Sequence, residues 1–202
     1  MIHLKSTKIL INLPIDAIPF VDLDQIDILV GTDVTSCLGI LSCCKRLQKK
    51  IKIYLTDPIK EFIQFYFLEL MNESKLQTLQ SPLPSTQNSL SSGLFGSIDS
   101  YENIRQFLKT IHSVKFGQRI NYFNLFTLVA LNSGYEVGGC YWRIECNQIN
   151  ICLIGNSSDS SLGKDGSFGD LLAPFDMAGL SKADCLVVLR GPSKISFSTT
   201  DY

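Results

Sequence analysis

Short apolar runs separated by polar turns predict that strands and helices alternate in the first part of the chain. Residues 7–13 form one such run, and residues 26–30 are apolar almost throughout. A nearly continuous apolar run is typical of a strand that is buried on both faces. Residues 52–55 repeat the pattern, and residues 35–47 carry a partial leucine stripe at helical spacing. This part of the sequence therefore predicts two strands, a helix and a third strand.

A longer helix is predicted to begin at Asp57-Pro58, because aspartate is a favourable N-cap and proline is tolerated in the first turn. The apolar side chains that follow recur at helical spacing, which predicts a helix that packs on the core. They are Ile59, Phe62, Ile63, Tyr66, Phe67 and Leu70. Residues 73–97 are rich in Ser, Gln, Pro and Asn, so a flexible loop or insertion is predicted there.

A second helix and two paired strands are predicted to follow this loop. Asp99 and Glu102 have the spacing of a capping box, for a helix that ends at about His112. At that end the imidazole would complement the helix dipole. Residues 115–120 and 123–131 are predicted to be the paired strands.

The glycine-rich stretch that comes next has the most distinctive pattern of the chain. Gly134, Gly138 and Gly139 precede two apolar runs, residues 140–144 and 149–154. Glycine adopts backbone angles that other residues resist, so these positions predict a loop that is bent tightly against another part of the chain.

Two side chains of this stretch occupy positions where many hydrolases present a metal ligand. Tyr135 lies in the glycine loop and Asn156 follows the second apolar run. Neither is an ordinary zinc ligand.

The last part of the chain is predicted to contain a polar loop over residues 157–170, a short turn or helix over 176–181, and a buried strand over 183–189. With the earlier elements this predicts an α/β or α+β sandwich whose helices lie outside the sheets. The length of 202 residues suits one domain with a real core, so residues 1–202 are assigned to a single domain.

Composition narrows the classes of protein further. The chain is 45% hydrophobic and 18% charged, with a net charge of -1, which is typical of a globular protein and gives no general reason to expect nucleic-acid binding. No apolar run reaches the ~20 residues that a membrane span requires. A local basic cluster is interpreted as a solvated helix end. It consists of Lys45, Arg46, Lys49, Lys50 and Lys52.

The cysteines favour a reducing compartment, cytosol or nucleus, over secretion. There are seven, an odd number, and no two have C-x-x-C spacing. Cys140, Cys152 and Cys185 lie in apolar runs, where cysteine behaves as a small hydrophobic residue.

Candidate catalytic chemistry is sparse. His3 and His112 are the only histidines, so their number alone excludes a dinuclear zinc centre built on imidazoles. Nucleophile-elbow and phosphate-loop motifs are absent from the sequence. The Cys43-Cys44 pair has no histidine nearby, and Asp22 and Asp24 flank a turn where solvation is expected.

The order of six segments resembles the metallo-β-lactamase fold of the RNA 3′-end-processing proteins, the β-CASP family. The segments are TKILINL, IDILVGTDVTSCLGIL, KIYLTDPIKEFI, SGYEVGGCYWRI, ICLIGNSS and ADCLVVLRG. The SGYEVGGCYW block is the most specific, and residues 73–97 fall outside the similarity. The resemblance implies a partial αββα sandwich that lacks the β-CASP insertion, with the chain ending near the point where that insertion begins in the family.

The same resemblance implies that the metal site is lost. Active members carry a Ser-His-x-His-x-Asp-His motif after the second strand, and the matching residues 32–35 here are Thr-Asp-Val-Thr. The glycine-loop histidine of the family corresponds to Tyr135. The two aspartates that follow the later and the first strand correspond to Asn156 and Asn12. We therefore expect a pseudo-enzyme without catalytic, metal-binding or cofactor-binding residues.

A non-catalytic member of this family is expected to act as a scaffold in a nuclear Integrator-type complex for snRNA 3′-end processing. The implied partners are a catalytic Integrator endonuclease paralogue and other subunits, with RNA contacted only indirectly and no membrane. The 100-kDa-type non-catalytic subunit of the cleavage and polyadenylation machinery is an alternative. A metal hydrolase that uses Asp33, Cys37 or Asp159, and a relic without a selected function, are also left open.

Overall fold

The computed structural model contains two five-stranded sheets, packed face to face, with helices on their outer sides. It describes residues 1–43, 51–80, 101–147, 149–157 and 174–189.

The first sheet is mainly parallel. Its neighbouring strands, in order, are β1 (Ile2–Leu4), β2 (Thr7–Ile11), β3 (Ile28–Val30), β4 (Lys52–Thr56) and β5 (His112–Val114). Only β1 runs antiparallel to its neighbour. The central strand β3 is buried on both faces, as its apolar run predicts.

The second sheet is mainly antiparallel. It contains β6 (Arg119–Tyr122), β7 (Phe126–Asn132), β8 (Cys140–Cys146), β9 (Ile149–Ile154) and β10 (Cys185–Val188), in the spatial order β10-β9-β8-β7-β6. Only β9 and β10 are parallel to each other. The predicted pairing of β6 with β7 is confirmed, although β6 begins later than expected.

The α-helices in the described residues are α1 (Gly39–Ser42), α2 (Asp57–Gln80), α3 (Tyr101–Thr110) and α4 (Met177–Leu180). Short 3-10 helices cover Ile15–Phe20, Leu23–Gln25 and Thr35–Cys37. Within the described ranges, no helix is both long enough and apolar enough to cross a membrane.

Three apolar layers hold these elements together, because successive side chains of a strand point to opposite faces. Ile28 and Val30 of β3 face the second sheet and meet Trp142 and Leu153 in one cluster. Leu29 points the other way, into a cluster with residues of α1, α2 and α3. A smaller cluster on the far face of the second sheet includes Leu180 of α4 and Tyr141. The predicted αββα sandwich is therefore confirmed.

The prediction of a flexible loop over residues 73–97 is wrong for the first part of that range. Residues 73–80 belong to α2, because Glu, Lys, Leu and Gln are all good helix formers, although most of the segment is polar. The remaining residues of that loop lie outside the described part of the chain, as does Asp99 of the predicted capping box.

The predicted role of His112 is also wrong. Helix α3 ends at Thr110, and His112 is the first residue of β5, where its ring stacks on Tyr54 with a centroid distance of 5.2 Å. The strand predicted over 115–120 is interrupted by a turn, in which Gly117 has a φ of +74°.

Strand β10 is not buried as its apolar sequence suggests. It lies at the edge of its sheet, and its Leu186 and Val188 are 50% and 65% exposed. Cys185 is exposed as well, whereas Cys140 and Cys152 are buried as expected.

Several other predictions concern residues that the structure does not describe. The helix over 35–47 is confirmed only as a 3-10 turn followed by α1, and the polar loop over 157–170 is described only at Ser157. The residues outside the described part include Cys44, Lys45, Arg46, Lys49, Lys50 and Asp159. Lys52 does not lie at a helix end: it starts β4, with its Nζ 4.7 Å from the ring centroid of Phe123.

Candidate functional site

A cavity of about 460 Å³ lies where β2, β3 and β9 end. It brings together four positions that the family resemblance assigns to the metal site: Asn12, Asp33, Thr35 and Asn156. Tyr135, the fifth such position, is not among the described residues that line it.

Asn12 joins the loop after β2 to the loop after β3. Its Oδ1 accepts a hydrogen bond from the Thr32 backbone N–H, and its Nδ2 donates to Thr32 Oγ1, both at 2.9 Å. Asn12 has a φ of +61°, a left-handed conformation that asparagine tolerates better than most residues. Both ends of the carboxamide therefore hold the two loops together.

Asp33 is 1% exposed, and both of its carboxylate oxygens accept hydrogen bonds. Oδ2 accepts from Thr32 Oγ1 at 2.7 Å. Oδ1 accepts from Thr35 Oγ1 at 2.8 Å and from the Ser36 backbone N–H at 2.9 Å. The carboxylate thus stabilises the start of the 3-10 turn in the way that an N-cap does.

Two cysteines are fully buried around Gly31. A Cβ placed on Gly31 would lie 2.3 Å from Cys37 Sγ, so the thiol fills the space that glycine leaves. Cys140 Sγ and Trp142 Nε1 both donate to the Gly31 carbonyl oxygen, at 3.2 Å and 2.8 Å. Burial, reinforced by the nearby Asp33, raises the pKa of Cys37, and burial raises the pKa of Cys140. Both are therefore neutral thiols near pH 7.

These residues do not fit the zinc ion that the fold family implies. The donor oxygens of Asn12 and Asp33 accept hydrogen bonds from the protein, and Asn156 is a neutral amide. In the ranges that the structure covers, no group of three or more His, Cys, Asp or Glu side chains could hold a metal. Asp159, one of the residues proposed for a reduced site, lies outside those ranges.

The glycine loop is bent tightly against the start of α2, as predicted. Gly134 and Gly138 have φ values of +65° and +83°. A Cβ on Gly138 would lie 2.6 Å from Pro58 Cβ, and the Gly138 carbonyl oxygen accepts a hydrogen bond from Thr56 Oγ1 at 2.7 Å. Tyr135 in this loop is 45% exposed.

Glu136 ties the glycine loop to the loop after β3. Its Oε1 accepts a hydrogen bond from the Val34 backbone N–H at 2.7 Å. Partial burial raises the pKa of the Glu136 carboxyl, although the hydrogen bond from Val34 opposes this. The sequence alone did not single out Glu136, the only charged residue between Gly134 and Gly139.

A second cavity, of about 640 Å³, lies between α2 and the glycine loop, and we call it the aromatic groove. Phe62 and Tyr66 line it and are 46% and 41% exposed, so the prediction that they pack on the core is wrong. The buried stripe of α2 consists of Ile59, Ile63 and Phe67. The described lining of the groove is Val34, Thr35, Phe62, Phe65, Tyr66, Glu69, Glu136 and Val137.

The remaining polar candidates have structural roles or are exposed. Asp22 accepts hydrogen bonds from the Asp24 backbone N–H and from Gln25 Nε2, which stabilises the 3-10 turn at Leu23–Gln25. His3 is exposed on β1, and Cys43 is buried.

Comparison with known proteins places this fold in a family. A family model described as the metallo-beta-lactamase superfamily domain matches residues 5–161. The metallo-beta-lactamase GOB-18 from Elizabethkingia meningoseptica is 16% identical, with 84% of this chain and 58% of that chain covered and a TM-score of 0.40.

Two further solved structures are more distant in sequence. The metallo-beta-lactamase fold protein YhfI from Bacillus subtilis is 11% identical, with 73% and 49% of the two chains covered and a TM-score of 0.39. Zn(2+)-bound PqqB from Methylobacterium extorquens is 10% identical, with 76% and 47% covered and a TM-score of 0.39. The chain thus spans about half the length of YhfI and of PqqB. Since the family model matches well over half of the sequence, the protein belongs to the metallo-β-lactamase superfamily.

Proposed function

We propose that this protein is a non-catalytic metallo-β-lactamase-like subunit that acts as a scaffold in a nuclear Integrator-type complex for snRNA 3′-end processing. It is similar to Integrator complex subunit nine in the order of its segments and in its SGYEVGGCYW block. Its partner in this proposal is the catalytic endonuclease paralogue of the same complex, and any contact with RNA is indirect.

The observation that carries the non-catalytic part of the proposal is the hydrogen-bonded state of Asp33. Its carboxylate accepts from Thr32, Thr35 and Ser36, and Asn12 is held by Thr32. A zinc hydrolase holds its ion with several ligands, usually imidazoles and carboxylates, and uses a bound water as nucleophile. Here the corresponding oxygen atoms stabilise the polypeptide instead, which supports a fold that is kept for docking.

Affinity purification from nuclear extract tests the scaffold role. The tagged full chain is expected to recover Integrator subunits, the endonuclease paralogue among them, and the tag alone is the control. Recovery of cleavage and polyadenylation subunits instead would favour the alternative membership. Recovery of neither set would contradict a scaffold role in 3′-end processing.

Metal analysis and hydrolysis assays test the absence of catalysis. The purified chain is expected to bind substoichiometric zinc and to leave RNA and bis-p-nitrophenyl phosphate intact when Zn²⁺ or Mn²⁺ is supplied. Stoichiometric zinc together with hydrolysis that a chelator stops, and that Asp33→Asn or Cys37→Ser removes, would establish the reduced-site hydrolase and overturn the pseudo-enzyme.

A further inference from the structure

The aromatic groove has two walls that come from distant parts of the sequence. Phe62, Phe65 and Tyr66 of α2 form one wall, and Phe65 is the most exposed of them at 61%. Val137 of the glycine loop lies on the other wall and is 51% exposed. The groove therefore presents contiguous apolar surface from two elements whose relative position is fixed by the contact of Gly138 with Pro58.

These aromatic side chains are not needed for the core. Helix α2 already packs on the first sheet through Ile59, Ile63 and Phe67, each at most 1% exposed. A separate face of the same helix carries four residues at spacings of three, one and three, which places them side by side. They are Phe62, Phe65, Tyr66 and Glu69. A contiguous exposed apolar face of this kind marks an interaction site, and aromatic residues are enriched among the residues that dominate binding energy.

The charge of the groove is one-sided. Glu69 lies on the helical wall and Glu136 on the opposite wall, and the described lining includes no lysine or arginine. Val34 holds the Glu136 carboxylate in place through its backbone N–H. Carboxylates beside aromatic faces attract cationic groups, both by ion pairing and by cation–π contacts, and they repel phosphate.

We propose that the aromatic groove binds a linear segment of a partner protein in which a lysine or arginine lies among large apolar side chains. The apolar side chains pack on Phe62, Phe65 and Tyr66, and the cationic group lies between Glu69 and Glu136. The inference rests on the proposed scaffold function, since it names the surface through which one partner is held. The acidic lining disfavours RNA and anionic membranes as occupants.

Selection of random linear peptides on the purified full chain tests this. Recovered peptides are expected to combine Lys or Arg with Leu, Ile, Phe or Met. Phe65→Ser is expected to weaken their binding by about tenfold, the loss typical of one aromatic hot spot. Phe20→Ser is the matched control, because Phe20 is 88% exposed and lies outside the groove. Circular dichroism confirms that both variants are folded.

A charge reversal tests the ionic part separately. Glu69→Lys is expected to abolish the preference for basic peptides, whereas Glu61→Lys, on the same helix but outside the described lining, is expected to keep it. Peptides without a basic preference, equal binding by wild type and Phe65→Ser, or preferential binding of RNA or of phosphatidylserine vesicles would each overturn the proposal.

The two proposals fail in different ways. Suppose that the groove selects peptides with basic and apolar residues, but the purification from nuclear extract recovers no 3′-end-processing subunit. Only the proposed membership of the complex is then contradicted. If wild type and Phe65→Ser recover the same complex and no peptide is selected, the membership holds and the groove proposal falls.

Discussion

The buried carboxylate of Asp33 shows how a single residue can organise the loop in which it lies. Its three hydrogen bonds come from residues on both sides of it in the loop after β3, and Thr32 extends the network to Asn12. The family resemblance predicted that Asn12, Asp33 and Asn156 would meet, and they do line one cavity. It did not predict the hydrogen bonds, because those depend on side-chain positions that sequence order does not determine.

Loss of this carboxylate is expected to destabilise the whole protein. Asp33→Ala leaves the Thr32, Thr35 and Ser36 donors without their acceptor, so we expect the free energy of unfolding to fall by about 3 kcal/mol in urea denaturation. Asp16→Ala is the control, because Asp16 lines the same cavity but is exposed, and we expect a change of about 0.5 kcal/mol or less. Equal losses in the two variants would contradict a structural role for Asp33.

The raised pKa of Glu136 predicts that the stability of the protein depends on pH. Its folded-state pKa is raised, chiefly by burial, so the folded protein binds this proton more tightly than the unfolded chain does. Stability from this group is therefore fully present below the ordinary glutamate pKa, about 4.3, and is lost as pH rises through the raised folded value. Glu136→Gln removes that loss while keeping an oxygen acceptor for Val34.

The measurement is urea denaturation of both proteins across that pH range. We expect the free energy of unfolding of Glu136→Gln, relative to wild type, to increase as pH rises and then to level off. A difference that stays constant with pH, or that changes in the opposite direction, would show that burial of Glu136 does not disfavour its charge.

At the level of elements, alanine substitutions at two glycines distinguish the stability cost of lost packing space from the cost of backbone strain. Gly138 and Gly117 both have positive φ, but a Cβ on Gly138 would meet Pro58, whereas nothing lies within 4 Å of one on Gly117. Thermal unfolding should show that Gly117→Ala loses about 1 kcal/mol from strain. Gly138→Ala should lose about 1–3 kcal/mol more, from overpacking. Similar losses would mean that the loop yields easily to the added methyl group.

Apolar runs in the sequence predicted most of the strands correctly, but they could not distinguish an interior strand from an edge strand. The run that forms β10 is as apolar as β9, yet β10 is largely exposed. Helical spacing likewise cannot distinguish a buried face from an exposed one, since the spacing of Phe62 and Tyr66 is compatible with both. The additional Phe65, next to Tyr66 and outside the buried stripe, was the available indication of a second apolar face on α2.

At the scale of the whole molecule, the fluorescence of Trp142 can be used to follow the packing of the two sheets. It is the only tryptophan, is fully buried between the sheets, and donates its Nε1–H to the Gly31 carbonyl oxygen. We expect blue-shifted emission in the folded protein, and a red shift on unfolding that coincides with the loss of circular dichroism, as in a two-state transition. A red shift that precedes the loss of secondary structure would instead show that the sheets separate before they unfold.

Gly155, at the end of β9, lies so close to Thr32 that even a methyl group there would come within 2.5 Å of the hydroxyl oxygen. The Thr32 hydroxyl that would have to move is the group that joins Asn12 to Asp33, since it accepts from Asn12 Nδ2 and donates to Asp33 Oδ2. The end of β9 and the loops after β2 and β3 can therefore change only together.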